Sequence, residues 1–502
     1  FVLSPGRFLG CSNNFCSLGV KWISYVAVAV YLSATPHLTR DLEELLSRRV
    51  QRSQQPPQPS GASSRSASGA TLAAATSATR TGEASSHSPP ASAWTAMAEL
   101  DLEEILRQPT RTVREVPRWF RASVRQAFGV ALRAREHRRE AAWKLLILTP
   151  RMLLRPTEVG GEAGKKIFFE RLRRYQQGDW AALLEESVQS RSRTKSRPVD
   201  EEAARAALRE DAEKKVRLRE LSKSRALLTS SGLAPRNDDT LAQLTDRELR
   251  PRELSAPLPA AAVSHRPVQK LELDRQKLLE ALRRAGRGSA QDLAGMRYEH
   301  VRVLVEDDDL WALFGDLIQE FARAEAPEPV MQALRLGRMT ALQKKDNKIR
   351  GIVAGSVIRR LTCKAVAAQF SEDFMARTAP FQFALQTKAG TDALAHAIRF
   401  LTDHDEEAVV CSLDGIGAFD HVRRAAFFDK LYECEELRPL LPLVTTLYGT
   451  TSRFLWDHEN GEQVIIEQGE GGEQGCPLMP ALFALAQHDA LAAASGEMMP
   501  DE

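Results

Sequence analysis

Between Ala408 and Val422 the chain reads AVVCSLDGIGAFDHV: an apolar, β-branched run that ends on an aspartate, then a glycine-bearing turn entering a helical pattern. The reading is strand, turn, helix, with Asp414 at the strand end. A carboxylate placed there can face solvent and a divalent ion while a sheet holds its backbone rigid. The same position suits a helix N-cap, and this run alone favours that use.

A second run changes the weighing. Gly469 to Leu485, GEGGEQGCPLMPALFAL, is a glycine-rich, proline-punctuated loop leading into a strongly apolar helix. Glycines there let backbone approach a ligand closely. Alone, such a loop is more often structural than catalytic; about 60 residues downstream of a strand-end aspartate, it is specific.

The rest of the 502 residues divides by composition. Residues 1–52 form a leader of unknown role; Ile23 to Ala34 is apolar but shorter than the roughly 20 residues a bilayer crossing needs. Residues 53–96, rich in Ser, Ala, Thr, Gly, Pro and Gln, read as a disordered linker with little to offset the entropy of ordering. Residues 97–228 read as a helical, Arg-rich region anchored by Trp119, Phe120, Phe128, Trp143 and KLLILTPRMLLRP, its arginines forming a solvated face. Prolines 235, 251, 257, 259 and 267 mark residues 229–267 as a linker and place a domain boundary near Val268. Residues 268–502 read as one continuous fold.

Lys and Arg total 69 against 66 Asp and Glu, so any basic surface is local. Six cysteines without a CxxC pair or zinc-like histidine spacing point to free thiols and a reducing compartment. The expectation is an intracellular protein, nuclear or cytoplasmic, not secreted, with no membrane partner.

The pattern LDxxxAF followed by EQGxPLxPxLFAL resembles the palm of reverse transcriptases, especially those of non-LTR, LINE-type retrotransposons. Met339 to Lys364, MTALQKKDNKIRGIVAGSVIRRLTCK, is similar to the fingers segment of that family, a basic β-hairpin followed by an RPI-like tripeptide and an RRL turn, with Asp346-Asn347 turning the hairpin. Weaker similarity runs through Ser289 to Leu304 and Gln382 to Arg399, so the resemblance covers about Val268 to the end. It implies an α+β right-hand polymerase, with helical fingers carrying a basic hairpin and a partial palm whose sheet has helices on one face, preceded by the disordered linker and the helical region.

By that resemblance Asp414 is the first metal-binding carboxylate, with the Gly415 carbonyl completing the coordination of two Mg²⁺ ions. Phe419 matches the aromatic gate that excludes a ribose 2′-hydroxyl; a core aromatic at the helix start is the alternative, and it can be both. Gly417 and Ala418 match positions whose N–H groups face the triphosphate of a deoxynucleotide, and Lys344 and Arg350 match the basic residues that neutralise it. Lys345 competes with Lys344, since adjacent strand residues face opposite ways, and a solvated basic hairpin is the plain alternative for both. Gln474, Gly475 and Pro477 match the loop that contacts the forming base pair and the template. The implied partners are an RNA template, a DNA primer and deoxynucleoside triphosphates.

Three departures accompany the match. Gly351 stands where the family usually has proline, which would loosen a turn, and Cys476 replaces the usual acidic residue after QG. The family's remaining carboxylates lie in an xDD hairpin downstream, and no Asp-Asp pair follows Leu491. One carboxylate cannot hold two Mg²⁺ ions against hydration, so the expectation is a truncated RNA-directed DNA polymerase, inactive as this chain. The alternative is a non-catalytic nucleic-acid-binding or decayed retroelement product, using the arginines from Arg107 to Arg225.

Overall fold

The computed structural model of the chain describes residues 88–189, 201–217, 221–229, 232–344, 348–385, 389–404, 410 and 417–498. Helices dominate these residues and enclose one four-stranded sheet, ordered β2-β1-β3-β4. β1 (Gly337–Gln343) and β2 (Ile349–Ala354) form an antiparallel hairpin, in register from Arg338 opposite Ala354 to Gln343 opposite Ile349. β3 (Ser452–Asp457) and β4 (Gln463–Gln468) form a second hairpin, and β1 joins the two by running parallel to β3 at Gly337 and Phe454.

Strand alternation decides which side chains the sheet buries. Met339, Ala341, Val353, Phe454, Trp456 and Ile466 meet Ala234 and Leu244 in a small core on one face. The intervening Arg338, Thr340 and Leu342 are less buried. Leu455, between two members of that small core, belongs instead to the main core. Both faces are therefore covered at β3, against the expected sheet with helices on one face.

The basic hairpin stands as read, although its turn, Lys345 to Asn347, lies outside the described residues. Arg359, Arg360 and Leu361 do not form a turn. They lie in the first turns of the helix Val357–Gln369, capped by the Ser356 hydroxyl, which accepts the Arg359 N–H at 3.0 Å. Gly351 also departs from its expected place. It sits inside β2 opposite Ala341, where a Cβ would come 2.9 Å from the Arg250 guanidinium, so the site asks for a small residue.

The domain boundaries differ more. Order begins before residue 97: the helix Ala91–Glu99 buries Trp94 and Met97, and Trp94 stacks edge-on against Trp180 at 4.8 Å. The apolar anchors repay ordering that the flanking composition hides. Residues 1–87, which hold the leader and most of the linker, lie outside the described residues.

The proline-rich stretch 232–267 is folded against the sheet rather than linking two units. Leu233 bridges to Leu342, the helix Asp238–Thr245 is capped by Asn237, and buried Arg250 reaches Gln468 on β4 at 3.1 Å. Its prolines set turns between docked pieces. Nor does a boundary fall near Val268, because one continuous core runs from Trp94 to Leu485. Arg453 on β3 forks onto Glu103 at 2.9 and 2.7 Å, tying the N-terminal helices to the sheet.

The helix Arg139–Leu153 is central to that core. Every residue from Ala141 to Leu153 is buried, so the run WKLLILTPRML packs on all sides. Arg151 in it is not a solvated arginine. It donates to Ile105, Gln108 and Pro109 carbonyls and to the Ser187 hydroxyl, between 2.7 and 3.1 Å. The glycine-rich loop ends, as expected, in an apolar helix, Met479–Met498. Among the described residues no helix is long and apolar enough to cross a membrane, and Cys363, Cys434 and Cys476 are free thiols.

Candidate functional site

Three stretches far apart in sequence meet in one place: the end of β2, the short helix Ala418–His421, and the loop from Gln468 to Leu478. Backbone contacts hold them. The N–H of Gly469 donates to Pro251, that of Gly471 to Val422, and that of Gly472 to Phe419, between 2.7 and 2.9 Å. Gly475 lies against β2 so closely that a Cβ would sit 1.9 Å from the Val353 carbonyl oxygen, and one on Gly471 would sit 2.2 Å from that of Phe419. Close approach is what these glycines provide, and their partner is the protein's own backbone.

Buried charges complete the frame. Arg424 is fully buried and spends all five N–H donors: on the carbonyls of Tyr448, Thr450, Gln468 and Gly471 and on the Ser452 hydroxyl, at 2.7 to 3.2 Å. Burial lowers its pKa to about 10. The Glu470 carboxylate accepts from the Arg424 N–H at 2.8 Å and from the Ser255 N–H and hydroxyl at 2.6 Å, fastening the 232–267 stretch to the loop. Arg359 and Glu473 pair at 2.5 Å with side chains 1% exposed. Burial pushes the Glu473 carboxyl up to about 7, against the opposing pull of Arg359. Beside them a hydrogen bond from Cys363 and the Arg359 charge hold the Cys476 thiol below its ordinary value, despite burial.

Gly417 takes a left-handed φ of 68° at the helix start, and Ala418 and Phe419 behind it are buried. The Phe419 ring meets Phe483 edge-on at 5.1 Å and walls a cavity of about 340 Å³. Phe381, Phe383, Leu385 and Leu394 line it with polar Gln487 and His488. Asp420 is buried next to Phe419; burial raises its carboxyl pKa, while Arg250 at 3.5 Å and the Gln474 amide at 3.4 Å oppose that shift.

The expected residues therefore divide. Gly417, Ala418, Phe419, Gln474, Gly475 and Pro477 belong to one locus with the end of β2. Lys344 and Arg350 are exposed on the hairpin, and the Lys344 N–H continues its ladder to the Lys348 carbonyl at 2.8 Å. Alternation from Leu342, opposite Arg350, puts the Lys344 and Arg350 side chains on the same face. Asp414 and Gly415 lie outside the described residues, as does the expected strand before them apart from Val410.

No group of three or more metal-ligating side chains occurs among the described residues. Asp420 is committed to Arg250 and Gln474, so it does not fit a second metal ligand.

Sequence reasoning missed Arg250, Arg359, Arg424, Glu470 and Glu473. Each is an ordinary charged residue in its local run, and only long-range partners make it special. No protein-family model matches the chain, and no curated protein matches it.

Proposed function

We propose that this chain carries the fingers and the first part of the palm of an RNA-directed DNA polymerase of the non-LTR retrotransposon type. One observation supports the reading above all: the end of the strand 349–354 and the blocks 417–421 and 469–479, marked out by sequence, pack into a single locus with an aromatic ring and an amide, and the exposed basic tip of the hairpin extends from it. On this reading Phe419 borders the sugar of an incoming deoxynucleotide. Its phenyl ring would leave a ribose 2′-hydroxyl unpaired, which is how a buried apolar wall selects against an added polar group.

Gln474, held by Asp420, would orient its amide toward the new base pair, and Lys344 and Arg350 on their shared face would attract the triphosphate. Two Mg²⁺ ions, when bound at Asp414 and the Gly415 carbonyl, would supply the electrostatic stabilisation that in-line displacement requires. RNA template and DNA primer are the proposed macromolecular ligands, inside the cell, in nucleus or cytoplasm.

The test is to sequence transcript and locus past codon 502 and assay RNA-templated primer extension by the chain so extended. An in-frame acidic pair, deoxynucleotide incorporation, and its abolition by Asp414→Ala are expected. A chain carrying that pair that binds primed RNA and extends nothing overturns the enzymatic reading and leaves nucleic-acid binding without catalysis.

A further inference from the structure

The reason for a glycine at 351, inside β2, lies beneath the sheet. A Cβ there would come 2.9 Å from Nη2 of Arg250, 3.2 Å from Leu244 and 3.3 Å from the Met339 sulfur. The Arg250 guanidinium lies beside Leu244 and Met339 of the small apolar core, and the residue is only 6% exposed. A cation in that position has to find acceptors. Arg250 donates from Nη1 to the Leu244 carbonyl at 2.7 Å and from Nε to the Gln468 side-chain oxygen at 3.1 Å. Nη2, the nitrogen nearest the absent Cβ, faces Asp420 Oδ1 at 3.5 Å. The second carboxylate oxygen, Oδ2, accepts from the Gln474 amide at 3.4 Å. One buried carboxylate thus links an arginine of the proline-rich stretch to the glutamine of the glycine-rich loop.

The backbone that carries Arg250 is itself tied down. His421, next to Asp420, reaches the Glu248 carbonyl through Nε2 at 2.7 Å, the Pro251 carbonyl accepts the Gly469 N–H at 2.8 Å, and Glu470 accepts from Ser255 at 2.6 Å. The arginine therefore comes to Asp420 from a segment fastened on both sides of it.

This series of contacts governs which way the amide is turned. An ionised carboxylate only accepts, so Gln474 presents its NH₂ to Asp420 and its oxygen lies on the other arm. Burial raises the Asp420 carboxyl pKa, and the Arg250 charge opposes that rise. Without the guanidinium the carboxyl holds a proton more readily and becomes a donor, to which the amide oxygen can turn instead. Arg250 bears on the amide without touching it.

We infer that Arg250 is a positioning residue of the proposed site, which through Asp420 sets the Gln474 amide against the forming base pair, and that Gly351 is the opening in β2 that admits its guanidinium. The inference rests on the polymerase reading and extends it to a residue upstream of 268. It also gives the glycine at 351, where the resembled family usually has proline, a role other than loosening a turn.

The test is RNA-templated primer extension by the chain read past codon 502, scored as the ratio of kcat/KM for the matched deoxynucleotide to that for a mismatched one. Arg250→Gln should lower this ratio on the order of tenfold, within the roughly 100-fold that misplacing a group by about 1 Å can cost. Gly351→Ala should lower it as well, by displacing Nη2, and should add nothing in the Arg250→Gln background, where the displaced atom is gone. Arg250→Lys, which keeps a cation for Asp420, should recover part of the ratio even where its unfolding stability stays below the parent's, which separates positioning from support of the fold. Arg247→Gln, at an exposed arginine of the same stretch, should match the parent.

A parent that extends primers and single variants that discriminate as it does overturn the positioning role alone. Losses from Gly351→Ala and Arg250→Gln that multiply in the double variant overturn the part given to Gly351. A parent that extends nothing overturns the polymerase reading, and this role with it. If Arg250→Gln does not fold, Gly351→Ala decides the question, since the atom it displaces is the end of a flexible side chain.

Discussion

Gly475 packs its α-carbon onto the backbone of Val353, with 1.9 Å between the carbonyl oxygen and the place a Cβ would take. The contact joins the glycine-rich loop to the hairpin strand β2, and neither partner can yield, since one is backbone in a loop and the other backbone in a sheet. Gly475→Ala should therefore destabilise the protein by roughly 1–3 kcal/mol, the range for forcing atoms into a packed site. Denaturant unfolding measures this. A change below a few tenths of a kcal/mol would mean that the loop swings away from β2 freely.

Arg424 satisfies four carbonyls and a hydroxyl from inside the fold. Arg424→Met keeps the volume and strands those acceptors, so a loss on the order of 3–5 kcal/mol is expected, as for other broken buried polar pairings. Arg424→Lys should recover only part of it, because one ammonium cannot replace a five-donor fork. Equal stability of the lysine variant and the parent would refute the role given to the fork.

His300 is buried, with Nε2 donating to the Val113 carbonyl at 2.8 Å and Nδ1 accepting from the Arg297 N–H at 3.3 Å. That pattern needs the neutral ring, and burial lowers its pKa from 6.5 to about 4. In the unfolded chain the ring takes a proton near 6.5, in the folded chain only near 4. The stabilising difference is thus complete above 6.5 and is lost as pH falls toward 4. Over that window the parent should lose on the order of 3 kcal/mol relative to His300→Gln, at about 1.36 kcal/mol per unit. Parallel stability curves would disprove the neutral buried ring.

Glu473 acts in the opposite sense. Its carboxyl is raised from 4.5 to about 7 by burial, so between those values the folded chain holds a proton that the unfolded chain has released. Folding stability from this group is present at low pH and declines as pH rises from 4.5 to 7. Glu473→Gln should remove that decline, so its stability relative to the parent rises across the window in urea titrations at several pH values. A relative stability that does not change with pH would show that the Arg359 pair keeps the carboxylate ionised throughout.

Parts of the site were legible because their information is local. The loop 469–478 announces itself by glycine and proline, the helix after it by apolar density, and the hairpin 337–354 by alternation around a turn dipeptide. Phe419 could be picked out by its spacing from Asp414, although the cavity beside it could not. Arg250 was hidden among prolines that suggested a linker. Local composition does not distinguish an arginine on a solvated face from one such as Arg151 inside a core, and nothing near Arg424 marks it as buried.

By itself the sequence determined the short-range outcomes: where strands alternate, where helices start, and which loop can approach a surface closely. Those follow from φ, ψ and side-chain preferences of neighbouring residues. Only the tertiary structure decided that residues 91–189 and 268–485 share a core, that the proline-rich stretch docks on the sheet, and that Arg359, Arg424 and Glu473 lie inside. A buried charge is tolerable only where distant backbone and side chains supply its partners, and those partners are set by the fold as a whole.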